Sequence, residues 1–311
     1  MSLIERAVDR LTKADPDAPI VVAKPAARPA PTPPVDLIER AVQRTAPAAA
    51  SPANAPVSRD EPPVLKPEAL RIHVESLRSR GFVTPAGEQT LVAQEFRVVK
   101  RPLLANAFGK GVSPVRNGKR IMVTSAFPGE GKTFCAINLA MSIAAERDHK
   151  VMLIDADVAR PSIPSELGVG VERGLMDCLL DGGDIANFVV QTDVEKLTLL
   201  PAGRRHQQAT ELLASGAMTH MLDQLADRFS DSILIFDSPP LLVTTESRVL
   251  ATHMGQIVMV VEAGRTPREA VNEATETIKQ CEVVGLLLNK SRNAPGGGYG
   301  YGYGYGYGKG L

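Results

Sequence analysis

From Lys119 onward, short and almost wholly apolar runs alternate with longer stretches whose apolar residues recur at helical spacing. In order they read "RIMVTS", "TFCAINLAMSIAAE", "KVMLIDAD", "LTLLPAG", "ATELLASGAMTHMLDQLADRF", "SILIFD", "ESRVLATHM", "QIVMVVEAG", "PREAVNEATETIKQ" and "VVGLLLNKS". A strand with one wet face alternates apolar and polar residues, whereas a strand covered on both faces is apolar throughout. Strands of the second kind, separated by helices, predict an α/β fold: a doubly wound, mostly parallel sheet with helices on both faces. Upstream, "EALRIHVESLRSRGF" and "LVAQEFRVVKRPLLANAF" have helical and charged patterning.

The first 66 residues read differently. Thirteen of the 24 prolines lie at or before Pro67, among alanines and short polar residues. That composition offers too little apolar surface to offset the entropy of ordering the chain. The predicted organisation is a disordered segment at 1–66, a helical lead-in at 67–118, an α/β domain at 119–292 and a flexible tail at 293–311. Within the first segment, "LIERAVDR" at 3–10 recurs as "LIERAVQR" at 37–44. Each copy carries apolar residues at helical spacing, either as transient helical turns or as a duplicated docking motif that folds on a partner.

Composition narrows the function classes. Lysine plus arginine and aspartate plus glutamate both number 35, so formal net charge is zero and no basic excess points to nucleic acid. The three cysteines are isolated, which suits a reducing cytosol and argues against a disulfide frame. No run of 18 apolar residues suggests a membrane span, and the charged start "MSLIERAVDRL" does not read as a signal peptide. The expected location is cytoplasmic.

The chemistry is concentrated at three strand ends. Ala126, Phe127, Pro128, Gly129, Glu130, Gly131, Lys132 and Thr133 fit [A/G]-x-x-x-x-G-K-[T/S] between a strand and a helix, the setting of a phosphate-binding loop. Gly129 and Gly131 let backbone N–H groups turn toward phosphate oxygens, and the helix N-terminus adds a favourable dipole. Lys132 suits the β and γ phosphates, and the Thr133 hydroxyl suits Mg²⁺. Asp155 and Asp157, two apart in "VMLIDAD", are expected on one side of an extended chain, and Asp237 ends "ILIFD". Beside a phosphate loop these acids read as Mg²⁺ and water ligands, with one as a base. The alternative for any single one is a turn or helix cap.

Together "AFPGEGKT", "MLIDAD" and "LIFDSPP", followed by a C-terminal tyrosine cluster, resemble the bacterial tyrosine kinases of exopolysaccharide systems. "MSLIERA" and "QEFRVVKRPLL" are most similar to the autokinases found beside exosortase genes. The resemblance covers about residues 90–307. It implies a P-loop fold and ATP-dependent autophosphorylation in trans within a homo-oligomer, a ring of subunits. ATP and Mg²⁺ would be the cofactors. Lys132, Asp155 and Asp157 would be catalytic, with Asp155 or Asp157 activating the phenol, and Thr133, Asp155, Asp157 and Asp237 would hold the metal. Asn289 would contact adenine by the same analogy, or else cap a turn. The implied partners are a separate membrane chain-length regulator, which would bring the chain to the inner membrane, and a tyrosine phosphatase. Two departures stand out. Ala159 occupies the place of a family arginine, with Arg160 next, and the E-x-x-R-x-x-R oligomerisation motif survives only as Gln94, Arg97 and Lys100. The rival class is a ParA/MinD-like ATPase switch, whose K-G-G-x-G-K-T loop has a lysine where this chain has Phe127.

All five tyrosines (Tyr299, Tyr301, Tyr303, Tyr305 and Tyr307) sit in the tail, each separated from the next by one glycine. A phosphate acceptor must enter a site shaped for ATP, so flanking glycines give it a slender, pliant backbone. Fully extended, residues 295–307 reach about 40–45 Å. The competing reading is a Gly/Tyr segment that self-associates through its rings.

Overall fold

Seven strands form one sheet: β1 (Arg120–Ser125), β2 (Lys150–Asp155), β3 (Val190–Gln191), β4 (Leu197–Leu200), β5 (Ser232–Asp237), β6 (Gln256–Glu262) and β7 (Val283–Asn289). Their order across the sheet is β3-β4-β2-β5-β1-β6-β7. Every pairing is parallel except β3 with β4. The computed structural model describes residues 69–84, 90–110 and 114–291. The LIERAVxR repeat and the five tyrosines lie outside them. All described residues belong to the unit Pro63–Leu311.

The apolar strands do what their patterning predicts, because successive side chains point to opposite faces and both faces are covered. Val151, Leu153, Ile233 and Ile235 join a cluster on one face, built with α1 (Val74–Ser79), α2 (Leu91–Ala107), α3 (Lys132–Ala144) and α4 (Ile163–Leu167). Met152, Ile154, Leu234 and Phe236 join the other cluster. It is built with α5 (Leu175–Asp181), α6 (Ala209–Leu213), α7 (Gly216–Arg228), α8 (Thr245–Ala251) and α9 (Arg268–Thr277). The predicted doubly wound α/β sheet is therefore present. Its cover is incomplete at β7, where Leu286 and Leu288 are 61% and 63% exposed.

Two helical expectations are corrected. Among the described residues of "EALRIHVESLRSRGF", Val74–Ser79 is helical. Leu70 instead makes a parallel bridge to Thr192, because its N–H donates to the Gln191 carbonyl at 2.8 Å and its carbonyl accepts from Asp193 at 3.0 Å. The long "ATELLASGAMTHMLDQLADRF" pattern is two helices, since the Ser215 hydroxyl accepts from Met218 N–H and starts α7 afresh. Among the described residues, no helix is long and apolar enough to cross a membrane.

Helix α2 carries Gln94, Arg97 and Lys100. Gln94 and Arg97 are exposed, but Lys100 is 4% exposed and faces its own chain. Its ammonium donates to the Ser142 carbonyl at 2.6 Å and pairs with Glu146 at 2.8 Å. That hydrogen bond from Lys100 holds the Glu146 carboxyl below its usual range. Lys100 therefore ties α2 to the end of α3. Replacing it with alanine leaves a buried carbonyl without its donor, so Lys100→Ala is expected to cost about 1–3 kcal/mol. In a domain of this size that lowers Tm by roughly 2–4 °C per kcal/mol. Arg101→Ala is the control in thermal denaturation: Arg101 is 68% exposed and 3.5 Å from the same carboxylate, and its loss should barely register.

Candidate active site

The carboxyl ends of β1, β2 and β5 meet at one edge of the sheet. Asp155 and Asp237 are direct partners in the parallel register of β2 and β5, so the two strand-tip carboxylates stand side by side. From the end of β1 the chain enters the loop Ser125–Gly131 and then α3. Gly129 (φ 85°) and Gly131 (φ 97°) take left-handed conformations that a side chain would resist, which is why the loop needs glycine there. Ser125 Oγ donates to the Phe127 carbonyl at 2.7 Å. Glu130 is not a surface residue: it is 3% exposed, its carboxylate accepts from Phe127 N–H at 2.7 Å, and its other oxygen accepts from the Thr266 hydroxyl. Phe127 stands out from the loop, 38% exposed.

Lys132 and Thr133 open α3 and reach the acids. Lys132 Nζ lies 4.0 Å from Asp157 Oδ2. Thr133 Oγ1 donates to Asp237 Oδ2 at 2.7 Å and is 3.2 Å from the Ser162 hydroxyl. Asp155 Oδ2 accepts from the N–H groups of Ser162 and Ile163, both at 3.0 Å, so it also anchors the start of α4. Asp157 Oδ1 accepts from Arg160 N–H at 3.1 Å, and the Arg160 residue itself is exposed.

Asp155, Asp157 and Asp237 lie near enough for their charges to act on one another, but their places differ. β2 ends at Asp155, so strand alternation does not carry over to Asp157. The structure pairs Asp155 with Asp237 and places Asp157 beside Lys132. Among the described residues no three metal-ligating His, Cys, Asp or Glu side chains are grouped closely enough to hold an ion by themselves. That does not count against Mg²⁺, which keeps several waters and takes one or two carboxylates plus substrate phosphates.

Burial dominates the electrostatics. It pushes the Asp237 carboxyl up to about 8, against the Thr133 hydroxyl bond that favours the charged form. It pushes Asp155 up to about 7, against the backbone bonds from Ile163 and Ser162. Asp157 is also raised by burial, with Lys132 opposing. Asp155 Oδ1 and Asp237 Oδ1 are buried without a hydrogen-bond partner. Buried carboxylate oxygens with no donor are costly unless a cation or proton satisfies them. Two adjacent ones beside a threonine hydroxyl form a hard-oxygen donor set that fits Mg²⁺.

Asn289 ends β7, and its Nδ2 donates to the Glu130 carbonyl at 2.8 Å. The side chain is thus on the phosphate loop, which leaves its Oδ1 for any contact with a base. Sequence reasoning missed Ser162, Thr266 and Lys290 around this loop. Only Lys290 had a signal, its place next to Asn289.

Residues 118–290 match the AAA domain family. Tyrosine-protein kinase CpsD of Streptococcus agalactiae is 30% identical over 179 residues, 56% of this chain and 76% of that protein. The succinoglycan biosynthesis transport protein ExoP of Rhizobium meliloti is 32% identical over 177 residues, 55% of this chain but 22% of that longer protein. Among solved structures, the VpsO kinase domain superposes with a TM-score of 0.54 at 27% identity, covering 65% of this chain and 97% of that one. The chain belongs to the AAA domain family and, within it, to the bacterial tyrosine-protein kinases.

Proposed function

We propose that this protein-tyrosine kinase moves the γ-phosphoryl group of ATP onto the tyrosines of its own tail, in trans within a homo-oligomer. The observation that carries the reading is the pairing of Lys132 with Asp157 and of Thr133 with Asp237, around a glycine loop at the carboxyl ends of three adjacent strands. In the reaction a phenolic oxygen bonds to the γ-phosphorus and the bond to the β,γ-bridging oxygen breaks. The phenolic proton passes to a carboxylate, and ADP leaves. Lys132 meets charge on the β and γ phosphates, while the loop N–H groups orient the triphosphate. Asp155 or Asp157 takes the proton; burial raises both, toward the range where a base works best near neutral pH. Mg²⁺, held by Thr133, Asp237 and Asp155, would supply charge neutralisation on the phosphates.

The tail explains its own composition under this reading. Each phosphate adds about −1.5 to −2 charges, so five add roughly −8 to −10. A tail so charged is repelled by the acids of the site, which releases it and loosens the oligomer. The likeness to ExoP supports a role in exopolysaccharide synthesis or export. A separate membrane activator and a tyrosine phosphatase complete the reading as its partners. Incubation with γ-labelled ATP and Mg²⁺ tests the reading: label on the protein is expected. Free phosphate with unlabelled protein would instead mark an ATPase switch.

A further inference from the structure

The loop's carbonyls carry information about its N–H groups. In a planar trans peptide the C=O of one residue and the N–H of the next point in opposite directions. Fixing a carbonyl outward therefore fixes the following N–H inward. In this loop two consecutive carbonyls are held from outside. The Lys290 ammonium donates to the Gly129 carbonyl at 2.7 Å, and Asn289 Nδ2 donates to the Glu130 carbonyl at 2.8 Å. Both donors come from consecutive residues at the end of β7, which the register with β6 places opposite Glu262.

Two features set this apart from a chance surface contact. Lys290 has φ 57°, a left-handed conformation that costs any residue with a Cβ and that glycine or asparagine would hold more cheaply. A lysine there is accounted for by what its ammonium reaches. Gly131 is shaped around the neighbouring donor, since a Cβ on it would lie 2.2 Å from Asn289 Nδ2. The bland alternative is that Lys290 serves only its ion pair with Glu262 at 3.2 Å, an exposed contact worth little.

We propose that Lys290 and Asn289 are positioning residues for the nucleotide: they clamp the Gly129–Glu130 and Glu130–Gly131 peptides so that the N–H groups of Glu130 and Gly131 face the phosphates. The proposal rests on the phosphate-loop reading and deepens it. It also joins the nucleotide site to the root of the acceptor tail, since the tail's first tyrosine, Tyr299, follows Lys290 by only nine residues.

The test is binding by the full-length protein, independent of phosphoryl transfer. A fluorescent ADP analogue with Mg²⁺ is titrated, then displaced by inorganic triphosphate, which has no base. Lys290→Met and Asn289→Ala should each weaken both probes by about tenfold, the effect of losing one hydrogen bond that orders the loop. Lys290→Arg, which keeps a donor and the charge, should recover much of the loss. Lys279→Met removes an equal charge at an exposed site paired with Glu276 and should change neither affinity. Thermal melts confirm that each variant is folded. The clamp is overturned if Lys290→Met binds like Lys279→Met, or if Asn289→Ala loses the nucleotide analogue but keeps triphosphate, the mark of an adenine contact alone. A wild-type chain that binds neither probe would overturn the phosphate-loop reading and the clamp together, whereas a wild type that binds both while the variants match it overturns the clamp alone.

Discussion

Lys132→Met is expected to lower tail phosphorylation by at least about 10²–10³-fold while leaving the fold in place. Groups aimed at charge that develops on transferring oxygens carry effects of that size. Methionine has nearly the length of lysine and no charge, so it can occupy the same path along the first turn of α3. Lys132 lies 4.0 Å from Asp157 and its charge also opposes the burial of Asp237, so its loss removes one long ion pair and leaves both acids with less positive charge nearby. Asp157 then loses the cation that opposes its burial, so its carboxyl should rise further. Phosphotyrosine immunoblotting after incubation with ATP reads the activity, and a melting curve close to wild type shows that the fold survives. Full activity in Lys132→Met would remove this lysine from the chemistry.

The second large effect is on stability, and its sign follows from burial. Asp237 has a folded value of about 8, against about 3.9 for an unperturbed aspartate. A carboxyl raised on folding contributes stability that is fully present below the unfolded value and is lost as pH rises through the folded one. Metal-free protein should therefore become less stable between roughly pH 4 and 8, with Asp155 adding to the fall up to about 7. Asp237→Asn removes the larger part of that penalty, and its amide oxygen can still accept from Thr133. In EDTA at pH 8 its Tm should exceed wild type by at least about 2–4 °C, the displacement for 1 kcal/mol in a domain of this size. At pH 5 the gap should narrow, and it should close only near pH 4, where the unfolded carboxyl also takes up its proton. The same variant should lose kinase activity, having lost a prospective metal ligand. An Asp237→Asn variant less stable than wild type at pH 8 would show that the native chain relieves this burial in another way.

Much of the architecture was legible because the strands are covered on both faces and so carry unbroken apolar runs such as "VMLIDAD" and "SILIFD". The phosphate loop was legible because its glycines are needed for left-handed turns that the structure shows at Gly129 and Gly131. What was not legible depended on contacts between distant segments. Leu70 sits in a helical-looking stretch, yet its backbone pairs with residues near 192, which no local pattern reveals. Lys100 reads from the sequence as one position of a departed family motif, and the structure buries it against Ser142 and Glu146. Asp157 lies two residues from Asp155, but the strand ends between them, and a turn held by Arg160 N–H takes it toward Lys132. Short elements such as β3 and α4 are too brief for any periodicity to mark them.

The account stands or falls on where phosphate appears. Full-length protein incubated with ATP and Mg²⁺ should, by peptide mass spectrometry, carry phosphate on tyrosines between residues 299 and 307, and Lys132→Met should carry none. A wild-type chain that binds ATP yet never acquires phosphate in that stretch would contradict it.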